Sequence, residues 1–366
     1  MTQNMNRRDF VKKTAITTAA FSIGASVFSS IAPAKKINVA LVGLGRYAEY
    51  VAAQMKDCKY CEFAGLVTGT PAKAESWGRE YGIPVKNRYN YQNFDDIKNN
   101  PDIDLIYIIL PNAMHKEYTI RATKAKKHVL VEKPMAINAA DCEEMMRACK
   151  ENNVQLAMGY RLHFEPFNME MKRLGQEKVF GNVRIVEASL GYNSGQPGEW
   201  RLNRKLAGGG PLMNLGVYCV QAARYITGED PVAVTAQFGP ILRKELFTEV
   251  EESITWQMEF PSGAVGTSTA TYSSGIDHLY AGAETGFFEL SPAISYGPFK
   301  GKTSNGTMDF PEINQQAAQM DAIRKVLLDN QAMPPHIAGI EGWKDMKVID
   351  AIYSAAKTGK RVKIAY

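Results

Sequence analysis

A regular alternation of apolar strand patterns and helical patterns runs from residue 37 to about residue 158. The apolar, β-branched runs that predict strands cover 37–42, 62–67, 105–110, 129–131 and 154–158, and helical patterns separate them. Uninterrupted apolar runs suit strands that are covered on both faces, as in a parallel sheet. The alternation therefore predicts an α/β fold built on a doubly wound parallel sheet.

The turn after the first predicted strand reads Gly43-Leu44-Gly45-Arg46-Tyr47-Ala48 and leads into a helix. Gly43 permits a tight turn, Gly45 lets a pyrophosphate approach the main chain, and Ala48 allows close packing of the helix. The helix N-terminus would then face the phosphate groups. A glycine turn without a ligand is the alternative, but the order of strand, turn and helix favours a dinucleotide site.

The end of the second predicted strand bears on the choice between NAD and NADP. A carboxylate usually binds the ribose 2′-hydroxyl of NAD at this position, whereas the sequence here is Val67-Thr68-Gly69-Thr70. Thr68 can donate a hydrogen bond to a 2′-phosphate, and Lys73 and Arg46 can supply positive charge. The sequence thus favours NADP over NAD, with ordinary surface charge as the alternative for either cation alone.

The run Val129-Leu130-Val131-Glu132-Lys133-Pro134 places a lysine directly after a buried strand. Pro134 cannot continue the ladder, so the chain leaves the sheet at this point. Ligands of open α/β sheets bind outside the carboxyl ends of the strands. Lys133 is therefore a candidate site residue, and a solvated loop lysine is the alternative for this residue taken alone.

The N-terminal segment predicts export. Asn6-Arg7-Arg8-Asp9-Phe10-Val11-Lys12-Lys13 precedes a mildly apolar stretch at 15–31 and the small residues Ala32-Pro33-Ala34. This order is typical of a twin-arginine signal and predicts a periplasmic protein, with an uncleaved N-terminal anchor as the alternative. No later stretch is apolar enough to predict a membrane span.

The charge balance gives no argument for nucleic-acid binding. Four basic residues and one acidic residue lie in residues 1–34, so the formal net charge of +5 falls to +2 after cleavage. A nearly neutral mature chain lacks the excess of positive charge that nucleic-acid binding requires. Neither nucleic acids nor membranes are therefore expected partners of the mature chain.

The five cysteines predict neither a disulfide nor a metal site. Cys58 and Cys61 form a C-x-x-C motif, but it lies between a helix and a strand rather than at a helix N-terminus. Cys142 and Cys149 lie two turns apart on one predicted helix, about 10 Å by the helical rise, which exceeds the reach of a disulfide. Structural or incidental cysteines are the favoured interpretation, and no cluster of Cys and His predicts zinc binding.

The pattern changes near residue 160. Strand patterns cover 183–190 and 232–238, a hairpin is predicted at 253–260 and 264–272, and helical patterns cover 211–227, 314–330 and 340–358. These elements predict an α+β domain with a mostly antiparallel open sheet. A sheet with helices on one face leaves its other face to be covered, which predicts a homodimer or homotetramer.

Three parts of the chain follow from these patterns. We expect a signal peptide at 1–34, a nucleotide-binding domain at 35–160 and a substrate and dimerisation domain at 161–366. The C-terminal helices of the third part are available to pack back on the second.

A further unusual run extends from Trp200-Arg201 through Gly208-Gly209-Gly210 to Asn214 and Tyr218. The three glycines precede a helix and permit close approach of the main chain to a ligand. Asn214 and Tyr218 are four residues apart and so share one helical face. Both side chains can then point into one cleft, with a packed core tyrosine as the alternative for Tyr218.

Together, these motifs resemble those of the Gfo/Idh/MocA oxidoreductases, and within that family the exported glucose-fructose and aldose-aldose oxidoreductases. The resemblance extends over nearly the whole chain. It rests on the twin-arginine signal and on six short motifs, namely 43–48, Tyr107-Ile108-Ile109-Leu110-Pro111-Asn112 with His115, Glu132-Lys133-Pro134, Gly159-Tyr160-Arg161, Trp200-Arg201 and 208–218.

The resemblance implies a Rossmann domain that binds NADP and a second domain that covers the nicotinamide with a sugar pocket. Lys133 and Tyr218 would form the catalytic pair, together with Asn214. The expected substrate contacts are Lys133, Tyr160, Arg161, Asn214 and Tyr218. The expected cofactor contacts are Gly43, Leu44, Gly45, Arg46, Tyr47, Ala48, Thr68, Lys73, Leu110, Pro111, Asn112, His115, Glu132, Lys133, Trp200 and Arg201.

The implied reaction is hydride transfer between the C1 hydroxyl of an aldose and tightly bound NADP, which gives a lactone. Reduction of a second sugar would regenerate the cofactor. A tyrosine can take the hydroxyl proton when a nearby ammonium favours its phenolate. Relatives often carry an aspartate where this chain has Asn214, which keeps hydrogen bonding and loses the charge.

Two other functions are compatible with this fold class. One is an NAD-dependent glycosidase that works by transient oxidation and elimination, and the other is a cofactor-binding protein without turnover. The presence of both Lys133 and Tyr218 argues against the second. Relatives of the glycosidase type tend to lack an intact Glu-Lys-Pro motif, which argues against the first.

Overall fold

The computed structural model describes residues 36–328 and 331–366, which belong to one compact unit. The predicted twin-arginine signal at residues 1–34 lies outside the described residues. Within the described ranges, no helix combines the length and the apolar character needed to cross a lipid bilayer.

The first sheet has six parallel strands in the described part of the chain, in the order β3-β2-β1-β4-β5-β6. This order is that of a doubly wound dinucleotide-binding fold. Its strands are β1 (Ile37–Val42), β2 (Cys61–Val67), β3 (Arg88–Tyr89), β4 (Leu105–Ile108), β5 (His128–Glu132) and β6 (Leu156–Gly159). The connecting helices are α1 (Arg46–Gln54), α2 (Pro71–Glu80), α3 (His115–Lys124) and α4 (Ala139–Asn152).

The central strands of this sheet are buried. Every residue of β4 and nearly every residue of β1 and β5 is shielded from solvent, as their uninterrupted apolar sequences require. The strand order reverses between β1 and β4, and a ligand of such a sheet binds outside the carboxyl ends of the strands at that point. The loops that follow β1, β4 and β5 therefore build the site.

The second sheet has nine described strands in the order β14-β13-β12-β11-β7-β10-β9-β8-β15. All neighbours are antiparallel except β7 and β10. The strands are β7 (Val183–Gly191), β8 (Ala233–Phe238), β9 (Ser253–Glu259), β10 (Val265–Thr271), β11 (Ile276–Ala283), β12 (Phe287–Leu290), β13 (Gly301–Thr303), β14 (Gly306–Met308) and β15 (Val362–Lys363). The helices of this half are α5 (Pro166–Gln176), α6 (Arg204–Ala207), α7 (Val217–Thr227), α8 (Gln315–Leu328) and α9 (Gly339–Thr358).

In the described part of the chain, helices cover only one face of the second sheet. Helix α7 packs on β7 and β10, and α9 packs on β8. In β9 the side chains of Ile254, Trp256 and Met258 are buried on the helical side, whereas Thr255 and Gln257 are exposed on the other. The open face is therefore polar, in keeping with the alternation of an antiparallel sheet.

The two C-terminal helices pack against the first sheet and its helices. Helix α8 contacts α1 and β2, and α9 contacts α4 and β6 in addition to β8 and α7. On α9, Asp345 accepts hydrogen bonds from Tyr160, which follows β6, and from Arg224 on α7, each at 2.5 Å. These buried contacts tie the two sheets together.

The predicted fold class is confirmed: a doubly wound parallel sheet is followed by a mostly antiparallel open sheet. The structure adds strands that the sequence did not predict. Strands β3, β13, β14 and β15 are only two or three residues long, so they carry no measurable periodicity. The predicted helix at 211–227 begins as a π-helix (Leu212–Gly216) and continues as α7.

Candidate active site

The glycine turn between β1 and α1 has the geometry of a phosphate-binding turn. Gly43 has φ +90° and donates its N–H to the Val67 carbonyl at 3.0 Å. A Cβ atom at Gly43 would collide with the Ile109 carbonyl oxygen, so only glycine fits there. At Gly45, by contrast, a Cβ atom would meet no other group within 4 Å. This open space at the start of α1 suits a pyrophosphate.

The groups beside this turn are cationic. The Lys73 ammonium on α2 donates to the Leu44 carbonyl at 2.7 Å, and the Arg46 side chain is exposed at the start of α1. Thr68 is buried, and its hydroxyl oxygen accepts a hydrogen bond from the Thr70 N–H at 3.2 Å. Lys73 and Arg46 thus flank the turn, whereas Thr68 shapes the loop after β2.

The loops after β4 and β5 are held together by His115 on α3. Its Nε2 faces the Leu110 carbonyl and its Nδ1 faces the Pro134 carbonyl, each at 2.9 Å. Burial lowers the pKa of His115, and the hydrogen bonds to these carbonyls counteract the shift. His115 is 1% exposed, so the structure places it behind the site rather than on its surface.

Asn112 joins the two halves of the molecule. The preceding Pro111 is half-buried, and Asn112 is buried and donates from Nδ2 to the Ala207 carbonyl at 2.8 Å. Ala207 lies directly before the glycine run of the second half. The motif after β4 therefore contacts protein, not solvent.

Lys133 and Tyr218 lie in contact. The Lys133 ammonium is 4.4 Å from the centroid of the Tyr218 ring and donates to the Asn214 carbonyl at 3.0 Å. Asn214 lies in the π-helix (Leu212–Gly216), a conformation that often occurs at functional sites. The two residues come from different halves of the chain and meet in one cleft at the carboxyl end of β5.

A buried carboxyl group lies next to this pair. Glu132 accepts a hydrogen bond from the Tyr107 hydroxyl at 2.5 Å and one from the Lys133 N–H at 3.3 Å. Burial raises the pKa of Glu132, and the Tyr107 and Lys133 groups counteract this. Burial also raises the pKa of Tyr47 well above its usual value, and the Glu132 charge adds to the effect. Glu132 thus holds the main chain at Lys133 through a hydrogen bond.

Arg161 also lies near Tyr218. Its guanidinium carbon is 5.6 Å from the Tyr218 ring centroid and 4.4 Å from the Tyr296 ring centroid. Arg161 is 3% exposed and donates to Gln315 at 2.5 Å. Two cations therefore lie close to the Tyr218 ring, because Lys133 contacts it as well.

The cleft continues past Asn214. Its side-chain amide donates to the Tyr192 hydroxyl at 3.2 Å. The guanidinium carbon of Arg201 lies 4.5 Å from the centroid of the Trp200 ring, and its Nη1 is 3.5 Å from Glu199. Trp200 and Arg201 therefore form a stacked pair, each partly accessible to solvent.

The glycine run before the π-helix serves packing within the protein. A Cβ atom at Gly209 would collide with the Tyr353 hydroxyl, and one at Gly210 with the Glu251 main chain. Glu251 is buried and accepts hydrogen bonds from Gly210 N–H at 3.0 Å, Leu212 N–H at 3.2 Å and the Tyr353 hydroxyl at 2.8 Å. Gly209 and Gly210 therefore let the chain approach Tyr353 and Glu251, and the approach of this run to a ligand stays a prediction.

Tyr160 lies away from the catalytic pair. It is 1% exposed, and its hydroxyl donates to Asp345 in the buried contact between α9 and α7. This places Tyr160 in the support of the fold and not among the groups that face the cleft.

All five cysteines are buried and form no disulfide. Burial raises the pKa of Cys58 to about 12, and Cys61 donates its thiol proton to the Met320 carbonyl at 3.2 Å. Thiols with raised pKa values are poor nucleophiles. Cys58 and Cys61 of the C-x-x-C motif are therefore packed inside the protein as structural cysteines.

Two groups of the site had no signal in the sequence. Tyr296 lies in the loop between β12 and β13, and its ring is 5.0 Å from that of Tyr50 on α1. Gln315 opens α8 and binds Arg161. Neither belongs to a motif or a periodic pattern, and tertiary structure alone brings them to the cleft.

The comparison with known proteins agrees with this architecture. A model of an oxidoreductase family with an NAD-binding Rossmann fold matches residues 37–160, and a model of the GFO/IDH/MocA C-terminal domain matches residues 168–283. D-xylose 1-dehydrogenase [NADP(+)] of Haloarcula marismortui is 27% identical over 342 residues, which cover 90% of this chain and 93% of that protein.

Solved structures show the same architecture. The aldose-aldose oxidoreductase of Caulobacter crescentus, complexed with glycerol, is 41% identical, with a TM-score of 0.87 over 90% of this chain and 100% of that one. The scyllo-inositol dehydrogenase of Lactobacillus casei is 17% identical, covers 91% of this chain and 99% of its own, and shares the fold with a TM-score of 0.76. The chain is an oxidoreductase that belongs to the Gfo/Idh/MocA family.

Proposed function

We propose that the protein is an NADP-dependent sugar oxidoreductase that oxidises the C1 hydroxyl of an aldose to a lactone. The observation that carries the proposal is the contact between the Lys133 ammonium and the Tyr218 ring, 4.4 Å from its centroid. This chemistry requires an acid–base group next to a fixed cation, at the edge of the sheet where a nicotinamide would lie.

The glycine turn fits a dinucleotide. Gly43 allows the tight turn, and Gly45 leaves room for a pyrophosphate at the N-terminus of α1. Lys73 and Arg46 lie beside the turn, and no carboxylate follows β2 in Val67-Thr68-Gly69-Thr70. These groups favour the 2′-phosphate of NADP over the 2′-hydroxyl of NAD. When bound, NADP supplies the hydride acceptor for the reaction.

The protein side of the reaction is proton transfer and orientation. Tyr218 takes the proton of the C1 hydroxyl as the hydride leaves C1, and it returns a proton when a sugar is reduced. Lys133 and Arg161 both lie near the Tyr218 ring and stabilise the negative charge that develops on the oxygen atoms. Asn214 fixes Lys133 through its main-chain carbonyl.

Sugars are the substrate class that the relatives favour. D-xylose 1-dehydrogenase and aldose-aldose oxidoreductase are the names of two similar proteins, and the second is 41% identical over nearly the whole chain. The aromatic groups at the cleft, Tyr296, Tyr192 and Trp200, offer faces for the C–H groups of a sugar ring.

Two further properties belong to this proposal. The N-terminal segment supports export through the twin-arginine pathway, which carries folded chains with their cofactor. A cofactor that alternates between oxidising one sugar and reducing another needs no nucleotide pool in the periplasm.

The open polar face of the second sheet supports self-association into a homodimer or homotetramer.

Substitution of the catalytic pair tests the proposal. Lys133→Met and Tyr218→Phe should each lower kcat for aldose oxidation by about 10²- to 10⁴-fold, the range for a lost acid–base group. The bound nucleotide should remain, because neither side chain holds the pyrophosphate turn. The exposed Lys124→Met and Tyr60→Phe are matched controls and should keep the wild-type rate. Wild-type rates in either catalytic variant would refute the assignment.

Mass spectrometry of the nucleotide that copurifies with the protein decides between NADP and NAD. A panel of aldoses, followed at the absorbance band of the reduced nicotinamide, then identifies the donor sugar. Release of the aryl alcohol from aryl glycosides without net oxidation would favour a glycosidase over the proposed oxidoreductase.

A further inference from the structure

A short segment at 293–296 forms part of the cleft, and one carboxylate outside the cleft holds its main chain. Asp277 on β11 accepts hydrogen bonds from the N–H groups of Ala293 at 2.9 Å, Ile294 at 2.8 Å and Ser295 at 2.9 Å. Three successive amides directed at one carboxylate form a closed anion-binding turn. The conformation of this segment therefore depends on Asp277.

Arg161 holds the same segment from its other side. Its guanidinium donates to the carbonyls of Ile294 and Ser295, and to the Gln315 side chain at 2.5 Å. The amides of 293–295 are thus bound by Asp277 while two of the carbonyls are bound by Arg161. A displacement of this segment must move the guanidinium as well, because Arg161 donates two hydrogen bonds to the carbonyls of the segment.

The position of Arg161 matters because its guanidinium also lies close to two tyrosine rings. The guanidinium carbon lies 5.6 Å from the Tyr218 ring centroid and 4.4 Å from the centroid of Tyr296, the next residue of the segment. Tyr296 is 53% exposed, and its ring lies 5.0 Å from Tyr50. The segment therefore sets both the cation beside the proposed base and one aromatic wall of the cleft.

We propose that Asp277 is a positioning residue for the reaction. It fixes the segment 293–296, and through that segment it directs Arg161 toward Tyr218 and Tyr296 toward the substrate. The proposal rests on the proposed function, since it assigns Arg161 and Tyr296 to the sugar site. Asp277 acts through the main chain of the segment, whereas Arg161 and Tyr296 face the substrate.

Graded substitution of Asp277 measures this role. Asn offers one oxygen to three amides and Ala offers none, so kcat/KM for the aldose should fall about tenfold in Asp277→Asn and about 100-fold in Asp277→Ala. The bound NADP should remain, because the segment lies outside the glycine turn. Asp321→Asn is the matched control: Asp321 accepts from the N–H groups of Lys59 at 3.0 Å and Tyr60 at 2.8 Å, and its loss should leave kcat/KM unchanged.

A double-mutant cycle separates positioning from a general loss of stability. If Asp277 acts through Arg161, then Asp277→Ala should lower kcat/KM by less than about threefold in an Arg161→Lys background, because the guanidinium is already absent there. Equal losses in both backgrounds, or wild-type kcat/KM in Asp277→Ala, would overturn the proposal.

Crystal structures of the wild type and of Asp277→Ala test the same claim without turnover. The segment 293–296 should shift, and the guanidinium of Arg161 should leave its place beside Tyr218. An unchanged segment and an unchanged Arg161 would overturn the positioning role whatever the substrate is. A wild-type enzyme that oxidises no aldose would instead contradict the proposed function, and the two failures are therefore distinct.

Discussion

The two glycines of the nucleotide turn have different reasons to be glycine. Gly43 has φ +90° and lies against the Ile109 carbonyl, so both its conformation and its surroundings exclude a side chain. Gly45 has φ −89°, and a methyl group there would meet no protein atom within 4 Å. The first glycine is needed for the fold, and the second is needed for a ligand.

Alanine at each position should therefore have a different effect. Gly43→Ala should lower the free energy of unfolding by about 1 to 3 kcal/mol, the usual cost of a strained backbone conformation. Gly45→Ala should change it by less than about 1 kcal/mol, yet weaken NADP binding about tenfold, because the methyl group takes up space that a pyrophosphate needs. Urea unfolding and a fluorescence titration with NADP measure the two quantities.

Each of these variants is the control for the other. Unchanged stability in Gly43→Ala would show that the turn adapts to a side chain. Unchanged NADP affinity in Gly45→Ala would place the nucleotide somewhere else. Either result would contradict the assignment of the turn.

At the residue scale, the sequence predicted the positions of groups better than their directions. Lys133 and Tyr218 were expected together, and they are in contact. His115 and Glu132 were expected to contact the cofactor, whereas their polar atoms bind the protein itself. A motif places a residue at the end of a strand, but the packing of the neighbouring loops decides which way its side chain points.

At the scale of elements, the π-helix (Leu212–Gly216) connects the glycine run to α7 and carries Asn214. Glu251 fixes its start by accepting from two main-chain N–H groups and from Tyr353. Burial raises the pKa of this carboxyl, and the same hydrogen bonds counteract the shift. The Asn214 carbonyl, which binds Lys133, therefore lies on a helix whose first residues are held by the buried Glu251 carboxyl.

Glu251→Gln should consequently affect both stability and activity. Glutamine has one acceptor oxygen, and its amide group would face an N–H donor, so the free energy of unfolding should fall by about 1 to 3 kcal/mol. The kcat for aldose oxidation should fall as well, since the Asn214 carbonyl would no longer hold the Lys133 ammonium. Chemical unfolding and steady-state kinetics measure these effects.

Glu249 offers a close comparison for that variant. It is exposed and accepts a hydrogen bond from the Arg204 N–H at 2.9 Å. Glu249→Gln should retain wild-type stability and kcat. A Glu251→Gln enzyme that behaves in the same way would show that the π-helix does not depend on this carboxyl.

The sequence predicted elements where they are long and regular. The five longer strands of the parallel sheet, the β9 and β10 hairpin and the C-terminal helices were all predicted within a few residues. Strands β11 and β12 escaped prediction because polar and aromatic residues interrupt their alternation. The π-helix could not be predicted, because its apolar spacing over five residues does not differ from that of an α-helix.

At the scale of the whole molecule, a cluster of charged side chains around the buried Arg224 and Asp345 joins the two sheets. Arg224 on α7 pairs with Asp230 and Glu341 at 2.7 Å each and with Asp345 at 2.5 Å. Lys344 also pairs with Asp230 at 2.7 Å. The cluster thus contains three carboxyl groups and two cations, and burial raises the pKa of Asp345 to about 6.

This raised pKa makes the stability of the fold depend on pH. Between about pH 4 and pH 6 the folded protein keeps the Asp345 proton while the unfolded chain releases it, so the contribution of this group falls as the pH rises. The loss over this range is about 2 to 3 kcal/mol for a shift of this size. Asp345→Asn cannot titrate and should lack this component of the pH dependence.

Tyr160→Phe should move the titration of Asp345 to higher pH. The Tyr160 hydroxyl donates to Asp345 and thereby lowers its pKa, so its removal should raise the pKa further and extend the decline in stability above pH 6. Urea unfolding of the three proteins at intervals between pH 4 and pH 8 measures these profiles. Parallel profiles would show that the charge of Asp345 does not change in this range. Profiles that diverge as expected would show that Asp345 takes up a proton in the folded protein near pH 6.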